Sequence, residues 1–502
     1  MTKDLYQENN QRIYMVDEHS YGEHYDPQTE HAAWTAISAT FPHIIPVDVL
    51  KDGLDYEIPI IIKEKIYGIG GGKYPVLIAN KRQEPVEFTL DCEGQTALFA
   101  AYAIGSTAST KGGAGAAFKE VTEITCPAES GNIVQGDYFL INGIDANGEE
   151  HFAVWMDTAG DGNTGKPTIA GIAADHVLAA NLSGSTPNST ATQVATAVKT
   201  ILDADAAFGA TSVAGVVTVT NALEGAVRDA RDSGVGPTNC TFDIGTQGCS
   251  KHIVTENTGH KLSSFTLHIE QRNDDSDEDI IVDLFGCVVQ SYSLSIDFDE
   301  ALFKESVTIK CPHYAEGDRL TNPPHIVHNF DIWSWANMKE AISTYLLMEG
   351  STEKTPKIVT KINLEIGNTL ELFGEIGYDY CQYVIAKERT VSLNIVGLID
   401  CRDTFDYYKD KWDNINKRYS LASGRLNSKL KVERTATYDY FIISFYNWLL
   451  EEHNHRMFPI SEGIKGLDIT LTEATPDSNR RIIDSFEIYD YLSDTCYHNS
   501  WS

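Results

Sequence analysis

Seven residues, Asp157 to Asn163, read Asp-Thr-Ala-Gly-Asp-Gly-Asn and carry the oxygens and glycines from which short calcium loops are built. A full EF-hand loop also needs a bidentate Glu at its twelfth position, and none stands there, so a hairpin turn is expected instead. Gly68-Ile69-Gly70-Gly71-Gly72-Lys73 resembles a phosphate cradle in composition only. It lacks the GxxxxGK[ST] spacing, and Tyr74-Pro75 follows where a helix should start. His453 and His455 would share one face of a strand, yet no third ligand accompanies them in a zinc-like motif, and surface-loop histidines are expected. The run Asp274-Asp275-Ser276-Asp277-Glu278-Asp279 could hold a cation or face a polyanion; the favoured reading is a solvated hairpin tip. No GxSxG, HExxH or Cys-His arrangement of known spacing occurs. The expectation is therefore no catalytic residue, no metal and no cofactor.

Charge and cysteine usage narrow the function classes further. The chain of 502 residues carries 39 basic and 72 acidic side chains, a formal charge of −33. Wrapping duplex DNA requires Lys and Arg to displace counterions, so that role is disfavoured. Lying beside DNA is not: a surface that repels phosphate suits a conduit through which nucleic acid slides. The same charge also serves simple solubility. The nine cysteines (Cys92, Cys126, Cys240, Cys249, Cys287, Cys311, Cys381, Cys401 and Cys496) include no CxxC pair. They are expected to be small buried hydrophobes, with no disulfide framework. No apolar run approaches the roughly 20 residues that span a bilayer. The first residues lack the basic and apolar regions of a secretory signal, which leads to an expectation of synthesis and assembly in the cytoplasm.

The elements that would position any site are mostly strands. Tyr292, Leu294, Ile296 and Phe298 fall on one face of an alternating run, with Ser291, Ser293, Ser295 and Asp297 on the other. Strict period-two alternation marks a half-buried antiparallel strand. Leu467 to Thr472 alternates in the same way, whereas Tyr438 to Leu450 fits either a strand pair or a helix. Trp333 to Met348 has helical spacing at Ile342, Tyr345 and Leu346. Residues 120–249 change character, becoming Ala-, Gly- and Thr-rich. There Asp137–Ile141, His151–Met156 and Gly215–Thr220 read as strands, and Ala191–Phe208 as a helix capped by Ser189 or Thr190.

Short echoes suggest an internal duplication. Phe41-Pro42-His43-Ile44-Ile45 returns as Pro323-Pro324-His325-Ile326-Val327. Leu77 to Arg82, running into Val86 to Leu90, returns as Val384 to Arg389 running into Val391 to Ile395. Gly68–Gly72 precedes the first pair, and Gly374 and Gly377 the second. The expected organisation is mainly β: a polar N-terminal arm (1–40), a first β-unit (41–119 plus 250–315), an inserted α+β module (120–249), a second β-unit (316–475) and a C-terminal arm (476–502). A module inserted at a loop tip leaves the host core uncut.

Together these segments resemble the tail tube (major tail) proteins of long-tailed bacteriophages and tailed archaeal viruses. The likeness rests on Thr258 to Glu270, on Phe285-Gly286-Cys287-Val288-Val289 leading into Ser291–Asp297, on Ile362 to Asn368 and on Lys387 to Leu393. It covers the chain outside 120–249. The resemblance implies two fused β-sandwich units, closing with sister chains into rings whose inner sheets line a channel. It implies homotrimeric, pseudo-sixfold rings, with hexameric rings as the alternative, stacked into a virion tail tube. Tape-measure and tail-terminator proteins are the implied partners, and viral DNA passes through without specific binding. The module would be an outer decoration. Asp297, Asp299 and Glu300 are the candidate lumen carboxylates, with an outer solvated face as the alternative placement. Two other functions compete: a surface or adhesin-like β-protein, and a polysaccharide-acting enzyme on a β-scaffold.

Overall fold

The computed structural model describes residues 11–18, 44–55, 63–66, 77–110, 118–319, 347–353, 358–373, 383–398, 412–419, 426–433, 440–457, 465–473 and 481–490, with short gaps inside these spans. The chain is mainly β, as its alternating segments lead one to expect. Fourteen strands make up most of the largest sheet. They are β1 (Gln11–Asp17), β2 (Val49–Asp55), β3 (Val86–Glu93), β4 (Gly105–Thr110), β5 (Ser250–Glu256), β6 (Phe265–Gln271) and β7 (Ile280–Asp297). The others are β8 (Lys304–Cys311), β9 (Ile358–Phe373), β10 (Tyr383–Leu398), β11 (Leu426–Glu433), β12 (Tyr440–Met457), β13 (Lys465–Glu473) and β14 (Ile483–Asp490).

Eight of these strands follow one another through antiparallel pairings in the order β2-β3-β8-β7-β9-β10-β13-β12. Where they pair in this run, β3, β8, the second half of β7, β9 and β10 alternate apolar and polar residues, so one face of these strands is buried and the other wet. In β7, Tyr292, Leu294 and Ile296 are each 1% exposed; Ser291, Ser293 and Ser295 are only half-buried. Burying each large apolar side chain stabilises the sheet by roughly 1.5–3 kcal/mol. One contiguous core joins Met15, Leu90, Phe265, Tyr292, Leu364, Leu393, Phe441 and Phe486, residues spread over most of the chain.

Two long strands change partners midway. The first half of β7 pairs with β6, which in turn pairs with β1; the second half pairs with β8 and β9. The switch falls at Gly286, whose φ of 68° disfavours any residue with a Cβ. Its N–H donates to the fully buried carboxylate of Glu18 at 2.7 Å, which also accepts from Ser264 Oγ (2.6 Å) and Thr266 Oγ1 (2.9 Å). Likewise, the first half of β12 pairs with β11 and β14, and its second half with β13. A short helix, Leu98–Ile104, is apolar all round and buried at every position, tucked beneath this sheet. It ends at Gly105, where a Cβ would lie 2.1 Å from the Thr255 carbonyl oxygen of β5.

Between β4 and β5 the strands form two separate four-stranded sheets. Val177–Asn181, Gly148–Asp157, Tyr138–Asp145 and Arg231–Asp232 make one; Phe208–Val213, Val216–Asn221, Val121–Thr125 and Thr241–Thr246 make the other. They close over their own apolar cluster, which includes Phe139, Phe152, Val154, Val194, Val198, Leu202 and Val217. A helix there spans Ala191–Leu202, and Thr190 caps it in a reciprocal capping box with Gln193. It stops six residues before Phe208, because the Asp203 and Asp205 carboxylates accept the amides of Ala210 and Ala207 and turn the chain into the next strand. The flanking strands β4 and β5 pair with each other, so the segment leaves the large sheet and returns to it at one place.

Several expectations need correcting. Cys287 and Cys311 are bonded to each other as directly opposed residues of β7 and β8, which removes them from the free buried thiols. Asp157 to Asn163 is a turn but not a hairpin, since the next strand, Val177–Asn181, runs parallel to Gly148–Asp157. Tyr438 to Leu450 lies mainly in a single strand, β12. Leu347 and Met348 belong to the strand Leu347–Glu349; the rest of the helix expected over Trp333–Met348 lies outside the described residues. Gln11–Asp17 and Ile483–Asp490, from the segments read as arms, each contribute a strand to the large sheet.

Candidate functional site

The wet face of the eight-stranded run is the most extended chemical surface positioned by the fold. Register places its residues in rows that cross strand after strand. One row runs Asp91, Ser306, Ser293, Glu365, Ser392 and Thr472, on β3, β8, β7, β9, β10 and β13. The next runs Glu93, Lys304, Ser295, Asn363, Asn394 and Thr470 on the same strands. Hydroxyls and amides dominate, linked side to side. Ser306 Oγ donates to Asp91 at 2.6 Å, Asn363 Nδ2 to Glu365 at 2.8 Å and Asn394 Nδ2 to Thr470 Oγ1 at 3.2 Å; Thr89 and Thr308 share a bond of 3.2 Å. The Ser306–Asp91, Asn394–Thr470 and Thr89–Thr308 bonds cross between strands, whereas Asn363–Glu365 runs along β9; both kinds hold short side chains close to the sheet.

Cations on this face meet carboxylates. Lys310 Nζ lies 2.9 Å from Glu87, and Lys361 Nζ lies 3.0 Å from Asp297. The Lys361 ammonium and the Asp299 amide hold the Asp297 carboxyl below its ordinary range. Of the three expected lumen carboxylates, Asp297 therefore sits on the polar face, already paired. Asp299 and Glu300 sit in the turn that follows β7, where Glu300 accepts from Lys304 at 2.9 Å. Glu87, Asp91 and Glu365 share the face but escaped notice in the sequence. The parity of Val86, Phe88 and Leu90 was the signal that could have found them.

A second set of ionisable groups is buried. His268 of β6 stands between Asp283 of β7 (Nδ1 to Oδ1, 2.5 Å) and Glu270 (Nε2 to Oε1, 3.1 Å), all three fully buried. Desolvation pulls the imidazole pKa down, but the bonds and charges of Asp283 and Glu270 outweigh it and hold the group at about 9. With both ring nitrogens engaged and no exposure to solvent, this histidine serves as a buried cation that neutralises its neighbours, not as a general base. Glu305 of β8 is pushed up to about 8 by burial, partly countered by the Tyr292 hydroxyl that donates to it at 2.5 Å. Arg389 of β10 donates to Glu256 of β5 at 3.1 Å and to Asn368 of β9 at 3.0 Å, tying two parts of the large sheet together.

The remaining candidates do not assemble a reactive centre. Asp157 is fully buried and spends its oxygens on the amides of Gly160 (2.9 Å) and Gly162 (2.6 Å) and on Gln135 Nε2 (3.0 Å). Asp161 accepts from the Thr164 hydroxyl and the amides of Thr164 and Asn163, which hold it at about 2. Both carboxylates thus organise the turn. His453 and His455 lie on β12 opposite Ile469 and Leu467, so they belong to a strand and not to a surface loop. Asp274–Asp279 and Gly68–Lys73 lie outside the described residues, although Gln271 and Ile280 on either side of the acidic run pair antiparallel. Among the described residues no group of three or more His, Cys, Asp or Glu could hold a metal, and no helix is long and apolar enough to cross a membrane. Neither a scan against protein-family models nor a search of curated proteins returned a match to this chain.

Proposed function

We propose that this chain is a tail tube subunit: a structural virion protein whose copies close into rings that stack into a conduit for a viral genome. The observation that carries the reading is a recurrence of strand order. β2-β3-β8-β7 and β9-β10-β13-β12 are built in the same chain sequence, with the same neighbours. In each, a shorter strand, β6 or β11, pairs with the first half of the long strand. The two sets are two fused copies of one β-unit. They join where the second half of β7 takes β9, from Ser291 opposite Gly367 to Asp297 opposite Lys361.

That junction supplies the assembly rule. The second half of β12 corresponds to the second half of β7 and pairs with β13 on one side; among the described strands nothing takes its other side. A sister chain's β2 would fill the place that β9 fills beside β7. Ring closure by this rule removes exposed sheet edges, which otherwise invite aggregation. Three chains of eight strands give twenty-four, which at about 4.8 Å spacing enclose a diameter of about 37 Å before strand tilt widens it. Inward side chains leave room for a nucleic-acid duplex. Six chains would double that diameter, so the trimer is the better fit. Heterologous stacking of rings then generates an open filament.

The wet face becomes the lumen wall. A wall of Ser, Thr and Asn with Lys310 and Lys361 neutralised by Glu87 and Asp297 offers phosphate little counterion release, so a duplex slides without sticking. The segment between β4 and β5, with its own core, is the inserted outer module. Negative-stain electron microscopy of the purified full-length protein tests the assignment. Rings or tubes with a central hole support it; monodisperse monomers that cleave glycosidic bonds would replace it with the enzyme reading.

A further inference from the structure

The separate module between β4 and β5 contains a pair of cysteines that the conduit itself does not need. Cys126 directly follows the strand Val121–Thr125, and Cys240 directly precedes Thr241–Thr246. These strands are antiparallel neighbours with Thr125 opposite Thr241, so the next step of the register sets Cys126 opposite Cys240. The Cys126 amide donates to the Gly215 carbonyl at 2.9 Å, on the other side of its strand. The Cys240 amide donates to Thr238 Oγ1 at 3.3 Å. Neither amide is directed at the facing cysteine. The pair therefore occupies a non-hydrogen-bonded site of the ladder, where opposed Cα atoms stand about 4.5 Å apart. That spacing lies within the range a disulfide needs. Cys287 and Cys311 hold the same opposed relation on β7 and β8, with Cα atoms 4.3 Å apart, and they are bonded.

The chemistry of the pair is asymmetric. The facing Cys240 thiol, together with burial, raises the Cys126 pKa, and Cys126 lowers that of Cys240; the Cys126 thiol donates to the Ile124 carbonyl at 4.0 Å. Both are nearly buried, at 3% and 6% exposure, with Cys240 the more accessible. Neither is disulfide-bonded in this structure.

We infer that Cys126 and Cys240 are a redox-responsive dithiol that closes into a cross-strand disulfide, stapling the first strand of the module to its last. The oxidant is a low-molecular-weight disulfide such as oxidised glutathione. The Cys240 thiolate attacks one sulfur of that disulfide, forming a mixed disulfide and releasing one small thiol. Cys126 then loses its proton to water and displaces the second small thiol, closing the protein S–S bond. Two protein thiols and one small disulfide become one protein disulfide and two small thiols, so electrons and protons balance. The bond makes residues 127–239 a covalently closed loop. It lies at the end of these two strands away from the bridge of Phe118 with Cys249, so it fastens their far end across the core residue Ile124.

The test uses the full-length protein, incubated with oxidised glutathione or with dithiothreitol, blocked with N-ethylmaleimide, and digested without reduction for peptide mass mapping. The expected result is a peptide pair joined at Cys126 and Cys240 after oxidation, absent after dithiothreitol, with both cysteines blocked in the reduced sample. Oxidised protein nicked by protease within residues 127–239 should run as one band without reductant and as two with it. The variant Cys240→Ser should leave Cys126 fully blockable; the wild-type map stands on its own should that variant fold poorly. Cysteines that stay blockable after oxidation, that stop at mixed disulfides, or that pair with other partners overturn the inference. A bond that native protein keeps under dithiothreitol also overturns it.

Discussion

His268 and Glu305 show how much of this fold depends on single protons. Both groups hold a proton more tightly in the folded chain than their ordinary values of 6.5 and 4.5 allow, at about 9 and about 8. Between the ordinary and the folded values, the folded chain binds more protons than the unfolded one, so stability falls as pH rises. Their contribution is complete below about pH 4.5 for Glu305 and pH 6.5 for His268, and is lost as pH climbs through about 8 and about 9. Urea midpoints measured from about pH 5 to pH 10 should therefore decline toward alkali, and Glu305→Gln should flatten the part of that decline between about pH 5 and 8. A midpoint that rises over this range would contradict the assignment. Replacing His268 by Ala leaves Asp283 and Glu270 buried without their cation and should cost about 3–5 kcal/mol in denaturant titrations. Little of this was legible in the sequence. His268 and Glu270 are visibly two apart on one strand, but Asp283 joins them only through the register of β6 against β7. Cys287 and Cys311 escaped for the same reason, being brought together by pairing and not by any local motif.

At the scale of elements, period-two alternation was a reliable guide where one face is wet and the other dry. It placed Tyr292, Leu294 and Ile296 inside. It gave no answer for Tyr438–Leu450, where apolar residues occupy consecutive positions, and the structure puts most of that stretch on β12. It also missed the helix Leu98–Ile104, because a helix buried on all sides has no period to read. The helix Ala191–Leu202 was legible from its cap, and Thr190→Ala should destabilise the module by about 0.5–2 kcal/mol, seen as a lower thermal midpoint. The polar sheet face carries its own prediction. The double variant Glu87→Gln with Asp297→Asn strips the carboxylates from Lys310 and Lys361. Assembled protein should then retain duplex DNA in gel-shift assays at low salt, with an affinity that falls as salt rises by a log–log slope of about 0.9 per freed lysine. Unchanged DNA retention would show that this face does not meet the duplex.

The whole molecule reads as two four-stranded sets side by side and a separately cored module. The echo of Val86–Leu90 in Val391–Ile395 led to the expectation of a duplication. The echoing segments are β3 and β10, which occupy corresponding places in the strand order. Sequence could not reveal the junction of β7 with β9, because strand order is a property of pairing across long separations. That junction is the proposed template for contact between copies, and cryo-electron microscopy of the assembled protein tests it most directly. The expected reconstruction is a ring of three chains with pseudo-sixfold inner symmetry, in which the open side of β12 takes β2 of the next chain as β7 takes β9. A reconstruction in which these two strands lie apart, or in which the hydroxyl-lined face turns away from the central hole, would contradict the tube assignment.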